Sequence, residues 1–284
     1  MRFGLGVASA EWFGWACPAG CVQAMKAKIR RFRVATWTVD LDIPISLNVE
    51  SMTVPPGLPG SIVVTFYSGG TVVFDGAQQR DGRVSSSPGP DFLTGGPNAS
   101  TIFGYDGSGT VFRLGLSPSG VTVASKTSMS LGFELPVYAG GLLYLGDAAI
   151  DPVLTHVAQT FGISGIMGPF PALNKILILK VGNVLNPVNL GEVLALVDVT
   201  TGGRIWTQTI PALPSDANGI RNDPMITWGT NGVAFRDGNG VFSPFDAPAI
   251  QLFRVNVDST AASPFFDSGL PPAVRRQRRV GLRR

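Results

Sequence analysis

Apolar residues come in short alternating runs along most of this chain, and Gly, Pro, Asn and Asp punctuate them. In "SIVVTFYSGGTVVFDG" the pattern predicts a strand from Ile62 to Phe66, a Ser-Gly-Gly turn, and a second strand from Thr71 to Phe74. "GGLLYLGDAAIDP" and "GVAFRDGNGVFSPF" read the same way. Alternation with period two, in runs rich in β-branched residues, is the mark of strand rather than helix. Two runs differ: "KILILKV" (Lys175 to Val181) and "EVLALVDV" (Glu192 to Val199) are almost continuously apolar. A strand of that kind is covered on both faces, whereas a sheet with one wet face would alternate.

A longer unit also repeats. It comprises a strand, a polar turn and a second strand, in Arg30 to Ile45, Phe112 to Thr127, Ala148 to Ile163 and Ala195 to Ile210. Segments after Val72 and Gln251 add two more, and the six units start about 36 to 56 residues apart. That range suits the four-stranded blade of a β-propeller. Such a blade is apolar on both faces and is stable only when stacked on others. The expectation is therefore an all-β fold, a propeller of about five to seven four-stranded blades, with no helix of three turns or more. A pair of β-sandwiches is the alternative, since it too has short strands at regular spacing. In "WGTNGVAFRDGNGVF" (Trp228 to Phe242) the glycines serve turns. A phosphate-binding loop would need a following helix and a Lys beside Ser or Thr.

Composition adjusts this picture at the ends. With 284 residues, 36 Gly, 22 Pro and only 14% charged residues, the chain has many turns and little exposed helix. Its net charge of +3 is misleading, because Arg275, Arg276, Arg278, Arg279, Arg283 and Arg284 lie together at the end. Without them the body is mildly acidic, at −3, and is not expected to bind nucleic acid. Residues 1–26 read as an ill-defined extension and a poor signal peptide, 27–258 as the propeller, and 259–284 as a Pro- and Arg-rich disordered tail. No apolar run reaches the length of a membrane-spanning helix.

The candidate chemistry is thin. Cys17 and Cys21 in "CPAGC" either form a local disulfide or stay free, and with His156 as the one histidine they make no zinc set. His156 is read as an exposed turn residue. Asp147 and Asp151 flank a short strand and could meet at a cation, but Asp151-Pro152 is more simply a turn. Asp216, Asn218, Asn222 and Asp223 form a polar loop without the alternating ligands of a calcium loop. Asn98-Ala99-Ser100 matches a glycosylation pattern and is read as a turn. No Ser-His-Asp set can be assembled. No catalytic, cofactor or metal residue is assigned.

"WGTNGVAFRDGNG", "GGLLYLGDAAIDPVLTHVAQTF" (Gly140 to Phe161) and "VESMTVPPGLPGSIVVTF" (Val49 to Phe66) together resemble the recurring segments of bacterial YVTN-like β-propeller proteins, which are WD40-like repeat proteins. The resemblance runs in order from about Lys28 to Val257, and its motifs are specific to fold, not to activity. It implies an exported or cell-envelope protein with no common catalytic residues. Such a scaffold would present loops to protein or glycan. The alternative is a funnel-site enzyme of lactonase or lyase type, with carboxylates and amides converging on a central channel. The resemblance also implies about one further blade upstream. The ring is therefore expected to be open or incompletely closed, with an edge at Ile29 to Thr36 inclined to self-associate.

The charge distribution yields a first prediction. Truncation after Pro272 should abolish retention on heparin, because the phosphate-like affinity resides in the Arg tail. A truncated chain still retained at moderate salt would reveal a basic face on the body.

Overall fold

The structure is a computed structural model that describes residues 27–33, 38–129, 135–180, 192–210, 225–228, 232–237 and 249–254. The expected extension at 1–26 and tail at 259–284 lie outside the described residues. So do residues 34–36 of the expected open edge. Among the described residues the only helical element is a 3-10 turn at Pro171–Leu173. No helix there is long and apolar enough to cross a membrane. The chain divides into two compact units, Met1–Ala158 and Gln159–Arg284.

In the first unit, β1 (Ala27–Arg33) and β2 (Thr38–Ile45) form an antiparallel hairpin. Three four-stranded sheets follow. The first holds β3 (Val49–Thr53), β4 (Ser61–Phe66), β5 (Gly70–Asp75) and β6 (Gln78–Gln79). The second holds β7 (Phe92–Asn98), β8 (Thr101–Tyr105), β9 (Thr110–Ser117) and β10 (Gly120–Ser128). The third holds β11 (Val137–Ala139), β12 (Leu142–Leu145), β13 (Ala148–Ile150) and β14 (Val157–Thr160), whose last two residues fall past the boundary at Ala158. In the second unit, β15 (Ile166–Phe170), β16 (Lys175–Lys180), β17 (Glu192–Asp198) and β18 (Arg204–Ile210) form another. A three-stranded sheet follows: β19 (Ile226–Trp228), β20 (Gly232–Asp237) and β21 (Ala249–Arg254).

Each four-stranded sheet is a meander whose strands pair strictly in chain order. That order excludes the sandwich alternative, whose Greek-key connections would place non-consecutive strands side by side. The repeated sequence unit turns out to be one particular part of the sheet. Phe112 to Thr127 is the β9–β10 hairpin, Ala195 to Ile210 is β17–β18, and the segment after Val72 is β5–β6. It is the third and fourth strands that repeat most visibly. In Ala148 to Ile163 the last strand stops at Thr160, before Ile163.

Alternation along the strands shares residues between neighbouring layers. On β4 and β5, Ile62, Val64, Phe66, Val72 and Phe74 point toward the hairpin and pack with Ile29 and Ile43. Their sequence neighbours Val63 and Val73 point the other way and pack with Ile102, Phe112, Leu114 and Val121 of the second sheet. That sheet repeats the division. Phe103, Tyr105 and Val111 face the third sheet and meet Leu143, Leu145, Ala148 and Ile150. Hence a strand such as Ser61–Phe66 is buried at all six positions. In the second unit, Leu177, Leu179, Leu194, Leu196 and Trp206 pack with Met225 and Val233. A polar pair in the middle of strands β4 and β5 satisfies itself: Thr65 and Thr71 share a hydrogen bond of 2.9 Å between their hydroxyls.

Backbone contacts also tie the first sheet to the second. After β6 the Gly82 N–H donates to the Ser119 carbonyl at 2.6 Å, and the Val121 N–H donates back to Gly82 at 3.2 Å. The chain then returns to the first sheet, where Thr71 and Val84 exchange both backbone bonds, at 2.8 and 3.0 Å. Gly120 makes this approach with φ +140°, and a Cβ there would collide with the Gly82 carbonyl.

Gly120→Ala should therefore destabilise the protein by on the order of 3 kcal/mol, combining backbone strain with overpacking against a rigid neighbour. Gly141→Ala is the control: φ is +87° there, but a Cβ meets nothing within 4 Å. It should cost only the strain, about 1 kcal/mol. Urea denaturation midpoints of the two variants test the difference.

Candidate functional site

The groups that could do chemistry are mostly engaged in holding turns. Asp151 ends the third strand of its sheet and is largely buried. Its Oδ1 accepts the Thr155 and His156 N–H groups at 2.7 and 2.8 Å, and its Oδ2 accepts the Thr155 hydroxyl at 2.9 Å. Burial pushes the Asp151 carboxyl up, but these bonds from His156 and Thr155 outweigh it and leave the group below its ordinary value. His156 lies in the same turn with its side chain 66% exposed, and its Nδ1 is 3.7 Å from Asp151 Oδ1. Asp147 lies in the preceding turn, at the other end of β13. At the usual strand rise the Asp147 and Asp151 backbones are about 13 Å apart, which separates them as co-ligands.

The same device recurs. The Asp198 carboxylate accepts the Thr201 N–H at 2.9 Å and the Thr201 hydroxyl at 3.1 Å, bonds that hold it below the ordinary range. Asp106, between β8 and β9, accepts the Ser108 and Thr110 N–H groups at 2.9 and 2.8 Å. Asn98 accepts the Ser100 N–H and hydroxyl at 3.0 and 2.9 Å, so the glycosylation-like triplet is a turn. The residue that closes the third strand is Asp75, Ser117, Asp151 and Asp198 in the four full sheets. Of these four, only Asp151 is among the candidates that the sequence offers, there beside Asp147. The signal was available as a polar oxygen recurring at spacings of 42, 34 and 47 residues. Asp216, Asn218, Asn222, Asp223, Cys17 and Cys21 lie outside the described residues.

Asp75 has a different partner. Arg80 grips it bidentately, Nε to Oδ2 at 2.8 Å and Nη2 to Oδ1 at 2.7 Å, while Ser61 donates to Oδ1 at 2.6 Å. The Arg80 bond lowers the Asp75 pKa first and the Ser61 bond second. The remaining arm of Arg80 donates to the Ser117 carbonyl of the second sheet at 2.6 Å. One guanidinium thus links equivalent turns of adjacent sheets. The first strands are tied as well. Ser51 Oγ accepts the Leu93 N–H at 2.9 Å, and Thr94 Oγ1 accepts the Tyr138 N–H at 3.2 Å.

Beside the Ser61 turn lies a shallow cleft between the β1–β2 hairpin and the first full sheet. Ile29, Leu41, Ile43, Val54, Pro59 and Ile62 form its apolar wall, and Arg30 and Arg31 add charge. Arg31 Nε donates to Asp40 at 3.0 Å. Lys28 donates to Asp42 at 2.8 Å, and Arg30 Nε comes within 3.3 Å of the same carboxylate. That Nε is buried against the Asp42 carboxylate with which it is paired. At the opposite end of the first sheet, the β4–β5 turn carries Tyr67, 74% exposed, with the 39%-exposed Leu47 beside it. The Tyr67 N–H donates to the Asn48 carbonyl at 3.0 Å. Among the described residues, no group of three or more His, Cys, Asp and Glu side chains is placed to hold a metal ion.

These meandering four-stranded sheets, sharing their faces in sequence order, define a β-propeller fold, and solved structures agree. The chain is similar to a chain of the mitotic checkpoint complex, with TM-score 0.57 and 11% identity over 86% of this chain and 72% of that one. It is also similar to the Cps50 (Swd1) β-propeller domain of Myceliophteria thermophila, with TM-score 0.51 and 10% identity over 78% of this chain and 71% of that one. BamB from Moraxella catarrhalis gives a TM-score of 0.49 and 14% identity, over 74% of this chain and 66% of that chain. The chain thus spans about two thirds of BamB's length, and little more of the other two. No protein-family model and no curated protein matches the sequence.

The electrostatics give a paired prediction. Burial raises the Asp91 pKa, and the charge of Asp106 raises it further. Its folded form therefore holds a proton more tightly than the unfolded chain does, and its charge opposes folding at neutral pH. Asp91→Asn should raise the thermal midpoint at neutral pH, with the gain vanishing in acid. Asp75 has the opposite sign, since its stabilisation is present above the unfolded pKa and is lost as pH falls through the depressed folded value. Asp75→Asn should lower the midpoint at neutral pH and converge on the parent in acid.

Proposed function

We propose that this chain is a non-catalytic β-propeller binding scaffold, exported or held in a bacterial cell envelope, that contacts protein or glycan through its turns. The observation that carries the reading is the use of the candidate reactive groups. Asp75, Asp106, Asp151 and Asp198 spend their carboxylate oxygens on turn amides, hydroxyls or a guanidinium. A carboxylate so committed keeps a loop rigid and is a poor proton carrier. Rigid loops suit recognition, because little conformational entropy is lost when they bind. Tyr67 supports the reading further: an exposed aromatic on an anchored turn offers a flat apolar face to a sugar ring or a partner side chain. Placement in the envelope or outside the cell rests on the YVTN-like motifs in Val49 to Phe66, Gly140 to Phe161 and Trp228 to Gly240.

The lactonase or lyase alternative requires acids and amides that converge with free oxygens, whereas Asp75, Asp106, Asp151 and Asp198 each serve a turn of their own sheet. Purified protein applied to an array of bacterial glycans and envelope-protein peptides should show saturable retention. Tyr67→Ala should weaken the best ligand about tenfold, as loss of a central aromatic contact does. Hydrolysis of γ- or δ-lactones above the buffer rate, abolished by Asp151→Asn, would overturn the non-catalytic reading.

A further inference from the structure

The second sheet carries an arginine whose hydrogen-bonding groups its neighbours leave unmet. Arg113 lies on β9 two residues from Val111, so the two side chains share the face that packs toward the third sheet. The Arg113 Nε is buried and has no hydrogen-bond partner, and the guanidinium has no ion-pair partner among the described residues. Directly opposite in the β9–β10 register stands Ser125, whose Oγ is also buried and without a partner. Opposed residues of an antiparallel pair lie on one face, about 5 Å apart. Two unmet polar groups therefore sit side by side.

A bulge places Ser125 there. The register shifts between Val123 and Ser125, which makes Ala124 an extra residue in β10. Without it Ala124, not Ser125, would face Arg113. Bulges re-aim side chains in this way. The surroundings are small and polar. Thr122 is opposed to Gly115 on the same face, and a Cβ at Gly115 would lie 3.5 Å from Thr122 Oγ1 and 3.9 Å from the Ala124 Cβ. Thr122 and Ala124 are exposed, so the pair can be reached from solvent along β10. Neither β9 nor β10 contains an Asp or Glu.

These groups select their ligand by charge. A guanidinium only donates and stays charged, while a Ser or Thr hydroxyl can donate beside it. A neutral acceptor would satisfy one bond and leave a shielded charge uncompensated, which is costly. An oxyanion meets both demands, through charge-assisted bonds.

We propose that Arg113, Ser125 and Thr122 form a binding site for a small oxyanion, held by Arg113 Nε and the two hydroxyls. The site lies on a different sheet from the Tyr67 turn and does not rest on the scaffold reading, so failure of either leaves the other intact.

Sodium sulfate and sodium acetate are the probes, each titrated into the ¹⁵N-labelled full chain against sodium chloride at equal ionic strength. Sulfate stands for tetrahedral esters and acetate for carboxylates, so the tighter of the two identifies the source. The expected result is a saturable shift of the Arg113 Nε–Hε resonance, followed by the Thr122 and Ser125 amides, with no matching change in chloride. Ser125→Ala should weaken the tighter anion about fivefold, and Arg113→Gln should abolish the saturable shifts. Because Arg113→Gln replaces an unpaired charge by a neutral side chain, it should fold as stably as the parent. It also supplies the baseline for the general effect of salt on stability, above which the tighter anion should raise the thermal midpoint of the parent. The proposal is overturned if Nε–Hε does not respond to millimolar sulfate or acetate, which is the outcome if water meets both groups. It is equally overturned if chloride produces the same shifts, or if Arg113→Gln retains them at Thr122 and Ser125.

Discussion

A four-stranded sheet that is apolar on both faces has nowhere to go alone, and that constraint organises this molecule. Each strand alternates, but both sets of side chains are apolar, so neither face tolerates water. Val63 and Val64 are one residue apart and both fully buried, yet they belong to different cores. The sheet between them is therefore held from two sides, each worth roughly 25 cal/mol for every Å² of apolar surface removed from water. Layers, turns and cleft all follow from this sharing.

Polar chemistry is then left to the places where the layers end. The third strand of each full sheet closes on Asp75, Ser117, Asp151 or Asp198, and those oxygens replace water for the turn that follows. At Asp75 the requirement is met by Arg80, whose third arm reaches the next sheet. Among the described residues the hairpin has two strands: Ile29 and Ile43 pack on the first sheet, while Val54 and Pro59 line the cleft beside them.

Much of this architecture is legible in the residues. "KILILKV" and "EVLALVDV" announced strands covered on both faces, and β16 and β17 pair along their length. The hairpins at Phe112 to Thr127 and Ala195 to Ile210 are visible because the third and fourth strands of their sheets are long, and Arg30 to Ile45 because both strands of the β1–β2 hairpin are. Other strands were not. β7 reads as "FLTGGPN", where two glycines and a proline mimic a loop. Gly96 is required there because a Cβ would strike the Thr101 carbonyl at a register shift in the β7–β8 pair. β11 and β13 are three residues each, too short for a period to show. The site was less legible than the fold. Ser61, Asp75, Arg80 and Ser117 meet only after two sheets stack, and nothing local in the sequence marks them as a group. Arg30 looked like one more cation on a hairpin until Asp42 proved to be shared.

The strict chain order of strands within each sheet has a kinetic side. Every pairing in the described sheets joins consecutive segments, and in the first unit each sheet packs on the one made just before it. Loop closure is then cheap for each of the described pairings. A chain emerging from the ribosome can lay Ser61–Phe66 and Gly70–Asp75 against the hairpin of Ala27–Ile45 before Phe92 has been synthesised. The exposed face of each finished sheet, Val63 and Val73 in this case, then serves as the template for the next. Vectorial synthesis and stacking run in the same direction, so the sticky face at any moment is a single growing end.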